Sequence, residues 1–405
     1  MKIDETRVSR LVDYVRGVLK KQDGKSLYLE FRSDLEAVTP QEVFEIMNHV
    51  WSSGTSYDDI LSVLDKIINV FYHALSRYTW PKPEHNSFID LMLRENQAMN
   101  EKMDQVKAVL KQGKTLDNRE KLLETLTPLL EFEAHYLKKE NILFPVMEQR
   151  MARFEGVGIM WALHDNTRAN LKQVIQMLTE GTASEQEINA ELGQLFFNMI
   201  GLDQKESLIL YPCASEILDS ETFKAMTRQS FEYGFPFLDP ETLPENDSAD
   251  GHMSPLTSPS LHGLEINTGT GTLSADQLVM ILNALPVDMT YVDENDKVRY
   301  FSRPKDRFFP RSTAILGRDV RYCHPPGSVD KVLDIVQAFR EGRQDTASFW
   351  IDLRGRKVLI QYFALRTPGD SADGPPIYRG VLEVSQDITD IQKMEGQRRL
   401  LSWEG

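Results

Sequence analysis

HYLKKENILFP, residues 135–145, places a histidine and then a glutamate, Glu140, inside a run that reads as a helix. Inward histidines and carboxylates are how helical bundles hold metal centres. The usual helical pair, however, is spaced three or four residues apart, and here the step is five. At about 100° per residue, that step turns Glu140 about 140° away from His135, so only a π-bulge or a local distortion brings them onto one face. A second stretch, QKESLILYP at 204–212, resembles KKENILFP at 138–145: a charged patch, an apolar run, then an aromatic residue and proline. Two such copies on different helices suggest a pseudo-twofold arrangement.

Working outward, helical patterns run over roughly 87–111, 117–150, 158–180 and 184–219, joined by KQGKTLDN, RFEGVG and EGTASEQ. Short loops between long helices predict an antiparallel four-helix bundle. Residues 5–76 also read as helices. Val8, Leu11, Val15 and Leu19 share one face, Thr39-Pro40 with Glu42 forms a capping-box start, and a further helix restarts after Gly54. TWPKPEHN at 79–86 marks a boundary. Residues 239–273 are rich in Pro, Ser, Thr, Gly and Asp and read as a flexible linker. Beyond it the texture changes to strands. LPVDMTYVDENDKVRYFS reads as a hairpin, VDKVLDIVQAFREG as a helix, and TASFWIDLRGRKVLIQYFALRT with YRGVLEVSQDIT as three more strands. The expected fold is therefore mainly α with a C-terminal α+β domain, an antiparallel sheet with flanking helices. The expected divisions are a helical N-terminal domain at 1–78, the bundle at 79–235, a linker at 236–273, the α+β domain at 274–393 and a helical tail at 394–405.

A net charge of −15 argues against a nucleic-acid groove or an anionic membrane as the main partner, since both need clustered Lys and Arg. No apolar run approaches the ~18 residues of a membrane span, and MKIDETRVSR has no apolar core of a secretory signal. Cys213 and Cys323 are too few for a disulfide framework, so cytosolic thiols and a cytoplasmic location are expected. No Walker loop, GxGxxG, GxSxG, HExxH or CxxC is present, and nothing in the sequence demands an enzyme.

The bundle resembles a hemerythrin-like (HHE) domain. On that resemblance His135, counted back from Phe144-Pro145, matches the second-helix histidine, His164 in WALHDNTRANL the third-helix histidine, and Glu206, counted from Tyr211-Pro212, the fourth-helix carboxylate. The first-helix histidine slot holds Asn96, beside Glu95. The sequence departs further: Lys139 stands four after His135, and the fourth-helix histidine slot holds Leu202, beside Asp203. The resemblance implies iron, as a non-haem di-iron centre, or haem. The candidate metal residues are His135, Glu140, His164, Glu206, Asn96 and Glu95, with Glu131 as a substitute acid. The alternative is a bundle without a cofactor, in which both histidines are core residues hydrogen-bonded to Glu140, Glu206 or Asn96.

The segment LEAVTPQEVFEIMNHVW, with the later Gly-Thr-Ser step, resembles a bacterial domain of unknown function (family 438) that precedes such bundles and whose members end in a PAS module. The C-terminal region resembles a PAS domain through Leu285-Pro286, the Val292–Val298 hairpin and the Asp387-Ile388-Thr389 ending. In VRYCHPPGSVDKV, Cys323 and His324 carry side chains that ligate haem iron or soft metals. The other reading of that segment is a loop stiffened by Pro325-Pro326. Arg307, Arg311 and Arg318 are expected at the surface, and Cys213 as a buried, inert thiol.

Together these readings point to a cytosolic sensor or regulator of iron, haem, a diatomic gas such as O2 or NO, or redox state. Its output would be contact with an unknown protein partner, with a homodimer through the PAS domain. The alternatives are a di-iron oxidoreductase or an iron donor for damaged metal centres, and a cofactor-free interaction scaffold.

Overall fold

The computed structural model describes residues 3–151, 157–245, 265–305, 307–353, 355–369 and 375–396. The chain forms two compact units, residues 1–251 and 252–405.

The first unit opens with α1 (Glu5–Leu19), α2 (Gly24–Leu35), α3 (Pro40–Ser52) and α4 (Tyr57–Leu75). Their starts follow capping chemistry. The Asp4 carboxylate accepts from the N–H groups of Thr6 and Arg7, Ser56 caps α4, and the Thr39/Glu42 capping box forms with Pro40 in the first turn. Residues 1–78 were expected as a separate domain. They instead share one apolar core with the bundle, running from Val8 to Met226. The reason is that α3, α4 and the chain just after α4 send side chains across to it: Lys205 Nζ lies 2.6 Å from Asp65 Oδ1, and Gln41 and Tyr78 both donate to Glu216.

The first rod of the bundle is α5 (Phe88–Leu110). The second is broken into a 3-10 turn Leu116–Asn118, α6 (Arg119–Leu126), a 3-10 stretch Thr127–Phe132, α7 (Glu133–Lys138), a π turn Lys139–Leu143 and α8 (Phe144–Arg150). The third is α9 (Val157–Glu180). The fourth joins α10 (Glu185–Lys205), a π turn Glu206–Leu210 and α11 (Tyr211–Ile217). Both π turns precede a proline at the second position of the next helix, Pro145 and Pro212. Proline has no N–H to give the carbonyl four residues back. The ladder slips by one residue instead, and the Phe144 and Tyr211 N–H groups reach the carbonyls of Lys139 and Glu206.

After α12 (Ser220–Ser230) the chain returns over the bundle. Of the span expected as a linker, 236–273, the residues at 236–245 lie on the bundle. Phe237 stacks on Phe132 at 5.9 Å, and Arg94 Nη2 donates to Thr242 Oγ1 at 2.5 Å. Buried aromatic area and an arginine clamp fix a segment that composition alone read as loose. At the far end of the same span, β1 (Glu265–Asn267) and β2 (Thr272–Ser274) pair as a hairpin. The intervening residues 246–264 lie outside the described residues, as does most of the expected helical tail at 394–405.

In the second unit α13 (Ala275–Ala284) precedes a five-stranded antiparallel sheet of β3 (Asp288–Asp293), β4 (Val298–Phe301), β5 (Thr346–Leu353), β6 (Arg356–Thr367) and β7 (Ile377–Asp387). The spatial order is β4-β3-β7-β6-β5. Helix α14 (Pro326–Arg340) covers one face, with Val332, Val336 and Phe339 buried in the same cluster as Val292, Val358, Ile360 and Val381. Gly380 pairs with Asp293 at φ +119, and a Cβ there would stand 2.1 Å from the Val292 carbonyl, so no other residue fits the crossing.

Candidate functional site

The bundle interior holds ionisable side chains among its apolar packing. From α5, Glu95 and Asn96 face inward; from α7 come His135 and Lys138; the first π turn begins with Lys139 and Glu140; α9 gives His164 and Arg168; the second π turn opens on Glu206. His135, Glu95, Lys138, Lys139 and His164 are fully buried. Such groups are stable in a core only when paired, and each carboxylate here is paired.

Glu206 is saturated. Its Oε1 takes the Lys139 ammonium. Its Oε2 accepts from Asn96 Nδ2 at 2.9 Å, from the Tyr211 hydroxyl at 2.8 Å and from His135 Nε2 at 3.1 Å. Burial alone would raise this carboxyl; Lys139 and His135 instead hold it well below the usual carboxylate range. Glu95 binds the Lys138 ammonium through Oε1 and His135 Nδ1 through Oε2, the latter at 2.7 Å. Both ring nitrogens of His135 therefore face carboxylates.

A second cluster lies beside the first. His164 Nδ1 is 2.8 Å from Glu140 Oε1, and Arg168 grips both oxygens of Glu140 at 2.9 Å. Arg168 also donates to Glu133 at 2.7 Å and to Asp165 at 3.0 Å. The Tyr136 ring stacks on His164 at 4.7 Å and meets the His135 ring edge-on at 6.0 Å. Among the described residues, the buried His164 Nε2 has no hydrogen-bond partner. Burial, with Lys139 and Arg168 nearby, keeps this imidazole neutral, well below its usual protonation range.

The structure thus groups Glu95, Asn96, His135 and Glu206 in one network and Glu140 with His164 in the neighbouring one. The π turn does not bring Glu140 to His135; it delivers Glu140 to His164 and Lys139 to Glu206. Glu131 is exposed, at an open groove lined by Tyr233, Phe235 and Phe237, away from the network. Sequence reading passed over Lys138, Arg168 and Tyr211 and read Lys139 only as a lost ligand slot. The signal for Lys139 was present: counted back from the aromatic-proline ending, Lys139 and Glu206 occupy the same position of the two repeats.

In the second unit, Thr290, Glu383 and Tyr362 pair across β3, β7 and β6. Arg311 donates to Thr290 and lies 3.2 Å from Glu383 Oε1. Arg307, Arg311 and Arg318, expected at the surface, turn inward; Arg318 is 5% exposed. Arg307 faces Asp288 and Arg311 faces Glu383, so these two guanidinium groups each meet a carboxylate. Asp288 is buried, with Arg307 Nε 3.9 Å away and the Phe309 backbone N–H facing its carboxylate; Ser385, its partner across the sheet, has a buried hydroxyl without a partner among the described residues. Burial raises the Asp288 carboxyl against the pull of Arg311 and Arg307. His324 feels Glu383, Arg311 and Arg318, and burial keeps its imidazole neutral. Cys323 is half-buried, and its thiol points at the Asp319 carbonyl, 3.6 Å away.

Residues 87–212 match the family model of the hemerythrin HHE cation binding domain, and residues 278–389 match that of a PAS domain. This chain joins a hemerythrin-like bundle to a PAS domain. At that level it is a regulatory protein of the ligand- or metal-sensing kind. Among solved structures, a C-terminal domain from Streptococcus mutans is 31% identical over 33% of this chain and 98% of that chain, with a TM-score of 0.30. The PAS domain of a protein from Colwellia psychrerythraea is 14% identical over 28% of this chain and 97% of that chain, with a TM-score of 0.23. No curated protein matches the sequence.

A hemerythrin-like bundle implies iron, and the side chains can be tested for it. Ligands must converge and keep lone pairs free for the metal. Both nitrogens of His135 face carboxylates, Glu206 has its oxygens engaged, and two ammonium groups sit on the two acids. Among the described residues no group of three or more His, Cys, Asp or Glu side chains is placed to hold one ion. The donor set does not fit a di-iron centre. His164 Nε2 offers a single nitrogen, which is not such a set.

Proposed function

We propose that this protein is a cytoplasmic regulatory sensor whose PAS domain takes a small ligand against the inner face of its sheet and whose output is contact with a partner protein. The observation that carries this reading is the polar row Thr290–Glu383–Tyr362 with Arg311 upon it, beside the apolar cluster of the sheet and α14. Buried ionic groups are a poor way to gain stability, and perturbed, buried groups cluster at functional sites. The buried Ser385 hydroxyl calls for a hydrogen-bond partner that the described residues do not supply. His324, a neutral imidazole beside this row, and Cys323 are the groups suited to haem iron, and a haem-bound diatomic gas would be sensed there.

Titration of the full chain with haem tests this. The expected result is a saturable Soret band that His324→Ala weakens or shifts, with a rise in Tm on binding. No spectral change and no shift in Tm, with haem or with NO over haem, would remove haem as the ligand and leave the cofactor-free scaffold. The scaffold reading is favoured at the bundle by one observation: every carboxylate of its network is already paired. The di-iron oxidoreductase and iron-donor readings need open coordination positions, which Glu206 and His135 do not offer. As the homodimer face we propose α13, where Val279, Met280 and Ile281 are 47%, 62% and 47% exposed.

A further inference from the structure

The two π turns place equivalent residues of the repeat face to face. Lys139 and Glu206 are each the first residue of a five-residue π segment, and each stands five residues before the aromatic of an aromatic-proline pair. In the folded bundle these two positions meet, and the Lys139 ammonium binds Glu206 Oε1. One residue earlier Lys138 does the same for Glu95, and its remaining protons reach the Gly234 carbonyl at 2.9 Å and the face of Phe235 at 4.5 Å. Two carboxylates facing each other across a buried His135 would repel and would need a cation between them. Here the chain carries those cations itself, on side chains long enough to reach the middle of the bundle.

We propose that Lys138 and Lys139 take the place of metal ions in this hemerythrin-like bundle, so that it reaches its full stability with no iron. Each buried acid has a cation from the chain itself: Lys138 on Glu95, Lys139 on Glu206, and Arg168 on Glu140. The closed covering over Lys138 supports the assignment, since the chain segment 234–237 lies across it and Phe237, Phe132 and His135 stack in succession at 5.9 and 4.4 Å.

The test uses the full chain, expressed with iron supplied and assayed by elemental analysis, then melted with and without a strong iron chelator. The expected outcome is substoichiometric metal and the same Tm in both conditions. Two tightly held irons per chain, with a Tm that falls on chelation, would overturn the proposal. A pair of variants checks the role of the ammonium directly. Lys139→Met strands the Glu206 charge and should lower Tm by roughly 10 °C, or prevent folding. Adding Glu206→Gln, which keeps the acceptors for Asn96 and Tyr211 and removes the charge, should restore most of the loss. A Lys139→Met protein as stable as the parent, or a double variant no better than the single one, would show that the ammonium does not carry this charge.

Discussion

At the scale of single residues, the bundle depends on which charges are buried together. Glu140 is the acid most fully gripped by a single guanidinium, accepting from Arg168 through both oxygens and from His164 besides. Glu140→Gln breaks a buried, bidentate pair, and the expected loss is about 3–5 kcal/mol, read as a lower midpoint in chemical denaturation with an unchanged slope. The pH dependence follows from His164 and Glu206. His164 is held well below its usual value of 6.5, so as pH falls through 6.5 the unfolded chain takes a proton that the folded one refuses, and stability drops. Glu206 is held well below 4.5, so its contribution is present above that pH and is lost as pH falls further. A denaturation series from pH 8 to pH 4 should show stability declining from about 6.5 downward; a flat profile would mean that His164 is not buried as described. The inward histidines were legible from the resemblance, and so was the acid at 206. The lysines were harder to read, because a lysine in a sequence reads as surface, and nothing local shows that a side chain will reach an acid 67 residues away.

At the scale of elements, the deciding feature is the slip of the helix ladder before Pro145 and Pro212. The five-residue step from His135 to Glu140 already required a π turn if the two were to meet. The turn is present, but it rotates Glu140 toward α9 and His164 rather than toward His135. Geometry along one helix was readable; the partner across the bundle was not, because it depends on how α9 packs. Replacing Pro145 with Ala restores the missing N–H and permits a continuous α ladder. That change should rotate Lys139 off Glu206, lower Tm, and increase hydrogen exchange of the amides at 139–144; unchanged exchange there would mean the proline does not set the π turn. The capping box at Thr39 and the succession of strands and helix along the chain after residue 285 were written plainly in the sequence; that β7 would lie beside β3 was not. By contrast, the stretch after α12 misled by its composition, since Phe237 and Thr242 are anchored by residues far away along the chain, Phe132 and Arg94.

At the scale of the whole molecule, the two compact units each have their own apolar core. A fragment ending at residue 245 should therefore keep the helical circular dichroism and the melting temperature of the bundle. A fragment that melts many degrees lower would mean that the bundle leans on the PAS domain. If α13 forms the homodimer face, Met280→Asp should shift sedimentation from dimer to monomer without altering Tm of the bundle; a parent protein that is already monomeric would remove that proposal. None of the described helices is long and apolar enough to cross a membrane. The combination of hemerythrin-like and PAS domains was visible in the sequence because each has a local signature. How the bundle balances its charge was not, because it is settled by contacts between rods.

The most direct measurement is an iron-edge anomalous diffraction map from crystals of the full chain grown with Fe(II). Lysine ammoniums standing in for metal predict no peak in the bundle, with Lys139 Nζ within hydrogen-bonding distance of Glu206. An iron peak between His135 and Glu206, with Lys139 swung aside, would contradict it.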